Sequence, residues 1–81
     1  MALRIKDDVD LKELEKFGMI FKKSNYPKND SYVFYVRLCV KLSVNTITRI
    51  IRTSNHRKSF HLLFDLIKAG LVEKVEVLGN D

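Results

Sequence analysis

The chain has 81 residues, with 15 Lys and Arg against 10 Asp and Glu and a formal net charge of +5. A chain of this length buries about 60% of its unfolded surface, enough for one small core and too little for a deep enzyme cleft. The hydrophobic fraction of 46% and charged fraction of 31% exclude bulk disorder, and a lone cysteine, Cys39, excludes an internal disulfide.

In chain order, Leu3 to Lys6 alternates and predicts a short edge strand. Asp10 then stands as an N-cap with Glu13 three residues later, and Val9 and Leu14 are spaced as a hydrophobic staple. A two-turn helix is expected from Leu11 to Phe17, with Leu11, Leu14 and Phe17 on one face and Gly18 as its left-handed terminator. Met19 to Ser24 predicts a strand, and Asn25 to Ser31, rich in Asn, Pro, Asp and Ser, a loop.

The dominant stretch runs from Tyr32 to Val44 without Gly or Pro and is rich in aromatic and β-branched residues. It predicts one central strand. Tyr32, Phe34, Val36, Leu38, Val40, Leu42 and Val44 share one side, while Arg37, Lys41 and Ser43 lie on the other. After a reversal near Asn45, Thr46 to Thr53 predicts a third strand. Ser54 to Ser59 is a polar connector, and Phe60 to Ala69 predicts a second helix ended by Gly70, with Phe60, Leu63, Phe64 and Ile67 on its buried stripe and Leu62 and Leu66 widening it. Leu71 to Leu78 predicts a last strand.

These elements predict a single α+β domain over residues 1–81, in which an antiparallel sheet of three to four strands carries two helices on one face. The expected core comprises Leu14, Phe17, Phe34, Val36, Leu38, Val40, Phe60, Leu63, Phe64 and Ile67. No apolar run is long enough to cross a bilayer. A cytoplasmic protein, monomeric or a small homo-oligomer, is expected.

Asp8 to Gly18 and Leu63 to Val75 together resemble a group of small uncharacterised proteins from phages and mobile elements of low-GC bacteria. The two blocks cover a capped helix and a helix-to-strand corner. The resemblance implies a compact α+β fold and no catalytic set, and by analogy it suggests a binder of a host protein or nucleoprotein complex, anti-CRISPR action among the options.

Charge distribution points to where such binding would occur. Residues 21–61 hold nine Lys and Arg against Asp30 alone, a local net of +8, and the flanks sum to −3. Such a cluster attracts polyanions or acidic protein surfaces. Arg37 and Lys41, four apart on one predicted strand, would share a face, extended by Arg49, Arg52, Arg57 and Lys58. Tyr35 is the strand aromatic beside them, so the alternative function is single-stranded nucleic-acid binding, with bases on Tyr35 and phosphates on the cations.

Catalysis, metal and cofactors are not expected. His61 and Asp65 sit at i and i+4, a spacing that suits a metal face or a relay pair. They also fit a solvated stripe, with no third ligand at a suitable spacing. No serine lies in a Gly-x-Ser-x-Gly elbow, and Gly18, Gly70 and Gly79 each follow an element rather than forming a phosphate loop.

Overall fold

The computed structural model describes residues 2–75. Within them the order is β1 (Ala2–Ile5), a 3-10 helix (Leu11–Phe17), β2 (Ile20–Lys22), a short 3-10 turn (Pro27–Asn29), β3 (Ser31–Val36), β4 (Cys39–Asn45), β5 (Ile51–Thr53), α1 (Arg57–Lys68) and β6 (Val72–Val75). The fold is α+β, and all strand pairs are antiparallel. Residues 76–78 of the predicted last strand lie outside the described residues.

The strands form a four-stranded sheet in the order β2-β3-β4-β5 and a two-stranded ribbon of β1 with β6. A bridge between Arg4 and Ile50 joins the two, where the Ile5 amide donates to the Arg49 carbonyl at 2.9 Å. Arg4 also faces Glu73 across the ribbon, its Nε 3.3 Å from the carboxylate.

The segment Leu11–Phe17 forms where expected, as a 3-10 rather than an α-helix. Asp10 Oδ1 accepts from the Lys12 amide at 3.0 Å, and Gly18 ends the helix at φ +88°, a region costly for residues with a Cβ. Seven residues are too few to be stable alone. Leu14, fully buried in the core, anchors them.

The expected single strand from Tyr32 to Val44 is instead a hairpin. Val36 pairs with Cys39, so the chain reverses through Arg37 and Leu38. Arg37 takes φ +59°, where two-residue hairpins ordinarily use Gly or Asn, which is why the sequence carries no turn signal. A second irregularity follows: Phe34 pairs with Leu42 but Tyr35 with Val40, leaving Lys41 as the extra residue of a bulge. The bulge carries Val40 out of the apolar row that its spacing suggests, and Leu38, at the turn, is 94% exposed. Neither joins the core.

The predicted strand from Thr46 is shortened for a local reason. Asn45 Oδ1 accepts from the amides of Ile47 at 2.8 Å and Thr48 at 2.9 Å, and the Asn45 carbonyl accepts from the Arg49 amide. Residues 46–49 therefore close a turn, and β5 begins at Ile51.

The core joins Tyr32, Leu42, Val44 and Ile51 from the inner sheet face to Ile5, Leu14, Met19, Leu62 and Leu66. Of the residues expected there, Phe17, Phe34 and Leu63 pack against it partly buried. α1 is rotated from its predicted orientation. It buries Ser59, Leu62 and Leu66, and leaves Phe60, Phe64 and Ile67 exposed, Phe64 by 60%. Apolar residues at 60, 62, 63, 64, 66 and 67 surround most of the helix, so periodicity alone could not select the face that Leu62 and Leu66 turn to β4 and β6. Its start is fixed by Ser59, whose single hydroxyl hydrogen is available to the carbonyls of Ser54 at 2.9 Å and His56 at 2.7 Å.

Candidate functional site

Pairing register sorts the outer face of the sheet. Ile20 faces Val33, Lys22 faces Ser31, Val33 faces Ser43, and Ser43 faces Arg52. These residues alternate with the core-facing Tyr32, Leu42, Val44 and Ile51, which share the core with Leu14 of the 3-10 helix and Leu62 and Leu66 of α1. Beside the apolar Ile20, Val33 and Val40, the outer side carries hydroxyls, amides and cations.

Three adjoining depressions lie along this face, and a fourth continues from them to the start of α1. The first, about 500 Å³, lies between Lys22, Lys23, Ser31, Val33 and Ser43. It meets a second of about 380 Å³ at Asn29, Ser31 and Ser43, with Arg52 beyond them. A shallower groove of about 230 Å³ shares Ser43 and Arg52 and runs on to Lys41 and Ser54. Lys41 is shared in turn with a pocket of about 500 Å³ that includes Arg37, Cys39, His56, Arg57 and Lys58.

The bulge builds that last pocket. The Lys41 carbonyl accepts from the Ser54 amide at 2.9 Å and from Ser54 Oγ at 3.2 Å. This holds the connector against the hairpin, and Ser59 then starts α1 from it. His56 caps the helix, its Nδ1 accepting from the Lys58 amide at 3.0 Å. Arg57 and Lys58 in the first turn are thereby set beside Arg37 and Lys41.

The band so formed carries seven cations, Lys22, Lys23, Arg37, Lys41, Arg52, Arg57 and Lys58, and no acid among the described residues that line it. Among the described residues the ion pairs involve Arg4 and Lys16 instead. Like charges held together without partners raise the local positive potential and draw in anions. Tyr35, partly exposed, pairs with Val40 at the edge of two of the depressions.

Five of the seven expected surface residues line these depressions, Arg37, Lys41, Arg52, Arg57 and Lys58, and Tyr35 stands at their edge only through its pairing with Val40. Arg37 and Lys41 meet through the turn and the bulge rather than by lying on one strand. Arg49 does not join them. It is half-buried at φ +64°, and its Nη1 donates to the carbonyls of Lys6 at 2.6 Å and Val9 at 2.7 Å. Its guanidinium holds the β1 loop against the turn before β5. Lys22 and Lys23 belong to the basic middle of the sequence, but only the β2–β3 register puts Lys22 on the same face as Arg52, and Lys23 lines the same depression as Lys22.

His61 and Asp65 are exposed on α1, lining a separate surface depression with Phe64 and Lys68. Among the described residues no group of three or more His, Cys, Asp or Glu side chains is gathered at one point, and no helix is long and apolar enough to cross a membrane. Comparisons with protein families, curated proteins and solved structures return no match to this chain.

Proposed function

We propose that this chain is a non-enzymatic binding protein whose basic band follows the backbone of a single-stranded nucleic acid. The observation that carries the reading is the run of seven cations across one sheet face and onto the start of α1, without an acid among the described lining residues. Phosphates replace the counterions that such a surface otherwise holds. Ser31, Ser43 and Asn29 supply hydrogen bonds between the cations, and Tyr35 offers a ring on which a base can stack. Two of the groups suited to proton transfer are engaged structurally: Ser59 Oγ lies on two carbonyls and His56 Nδ1 on an amide.

The test is a titration of a labelled oligo-dT strand at several salt concentrations. Each phosphate contact contributes about 0.7 to the slope of log affinity against log salt, so seven give a slope near −5. The triple variant Lys22→Gln, Lys23→Gln and Arg52→Gln is expected to flatten that slope by about 2. An unchanged affinity and slope in the folded variant would remove the band from the binding surface.

A second reading, an acidic host-protein or nucleoprotein surface as partner, draws on Phe60, Phe64 and Ile67, exposed along α1 beyond Arg57 and Lys58. Apolar residues beside a charged patch are the composition of a protein interface. Under this reading the triple variant slows association, most strongly at low salt, and oligo-dT does not bind.

A further inference from the structure

We infer that the tip of the β3–β4 hairpin is a wedge that inserts Leu38 between neighbouring bases of the bound strand; this rests on the nucleic-acid reading of the basic band. Leu38 is 94% exposed, the most solvent-accessible of the large apolar side chains among the described residues. It stands in a two-residue turn beyond the last paired residues, Val36 and Cys39, where the backbone is held narrow and nothing covers the side chain. Polar residues that favour turns would serve the reversal better. The other turn residue, Arg37, accepts a left-handed backbone at φ +59°, so both turn positions hold side chains ill suited to turning the chain.

Surroundings select the partner. The pocket at the base of the hairpin gathers Arg37, Lys41, Arg57 and Lys58 from the turn, the bulge and α1. An isolated leucine projecting beside four cations matches the design in which an apolar wedge parts two stacked bases while cations hold the flanking phosphates. A lipid surface would need a larger apolar area than one side chain. The band leads the strand to this point, because Lys41 lines both this pocket and the groove that contains Arg52.

The test uses the whole chain and an oligonucleotide carrying two adjacent 2-aminopurines within a dT tract, whose fluorescence rises when the bases unstack. Saturating protein is expected to raise the fluorescence severalfold. Leu38→Ser is expected to bind within about threefold of the parent affinity, since the phosphate contacts remain, but to lose most of the rise, and Leu38→Ile to restore it. Thermal melts confirm folding of both variants. An equal rise with Leu38→Ser, or no rise with the parent chain at saturation, overturns the wedge while leaving the band intact. Absence of binding by the parent chain overturns both.

Discussion

Arg37 and Lys41 line the same pocket although the chain reverses between them, Arg37 at the hairpin turn and Lys41 in the bulge of β4. Each contributes charge at a local structural cost, Arg37 by its φ of +59° and Lys41 by interrupting the strand ladder. Asn tolerates left-handed backbone better than Arg. Arg37→Asn is therefore expected to raise stability by about 0.5–1 kcal/mol and to weaken oligonucleotide binding with a salt slope flatter by about 0.7. Urea melts and salt titrations on the same protein read the two effects; stability and affinity moving in the same direction would contradict this account.

Arg49 and Arg52 are three residues apart and have opposite duties. Arg49 places two charge-assisted hydrogen bonds on the Lys6 and Val9 carbonyls; removing the guanidinium takes one bond from each oxygen, and the Lys6 carbonyl keeps the Val9 amide at 3.2 Å. Arg49→Gln is expected to destabilise the fold by about 1.5–3 kcal/mol and to leave the salt slope unchanged. Arg52, exposed opposite Ser43, gives the converse. Arg52→Gln is expected to change stability by less than about 0.5 kcal/mol and to flatten the slope by about 0.7.

What could be read in advance was local. Asp10 and Gly18 mark their helix ends through bonds within a few residues, and both do so in the structure. The hairpin was hidden because Arg37 occupies a position where Gly or Asn would have signalled a turn. That omission placed Leu38 and Val40 in the core. It also put Arg37 and Lys41 together for the wrong reason, since their meeting depends on the turn and bulge. Arg49 was unreadable as a staple because the carbonyls it holds, Lys6 and Val9, are 43 and 40 residues away. Charge is legible from sequence; which charges are committed to the backbone is a tertiary fact.

The orientation of α1 gives a prediction with a large contrast. Leu66 is fully buried, and Phe64 two residues earlier is 60% exposed. Leu66→Ala is expected to cost about 2–5 kcal/mol through lost burial and the cavity left behind. Phe64→Gln, which keeps good helix propensity, is expected to cost less than about 1 kcal/mol. Denaturant melts compare the two. A larger loss at Phe64 than at Leu66 would mean that the helix packs by the stripe with Phe60 and Ile67. If a protein partner is captured, Phe64→Gln should release it without unfolding the chain.

Tyr32 links the core to solution pH. Burial pushes its hydroxyl above the ordinary tyrosine range, and the negative charge of Glu15, whose Oε2 lies 3.4 Å from the hydroxyl, pushes it in the same direction. The folded state therefore retains this proton at a pH where the unfolded chain has released it. Its contribution to stability is fully present below the ordinary value of about 10 and is lost as pH rises from there through the folded value, because over that interval the native state binds more protons than the unfolded one. Lysines titrate over the same range, so the decline of the parent protein alone does not isolate Tyr32. Tyr32→Phe does, since it keeps the ring that meets Phe21 edge-on at 5.6 Å and removes only the titrating group. Urea melts from pH 8 to 11 are expected to show a steeper loss of stability for the parent than for Tyr32→Phe, with the curves diverging above pH of about 10. Parallel curves would mean that the phenol ionises equally in the folded and unfolded chain, contrary to its place in the core beside Glu15.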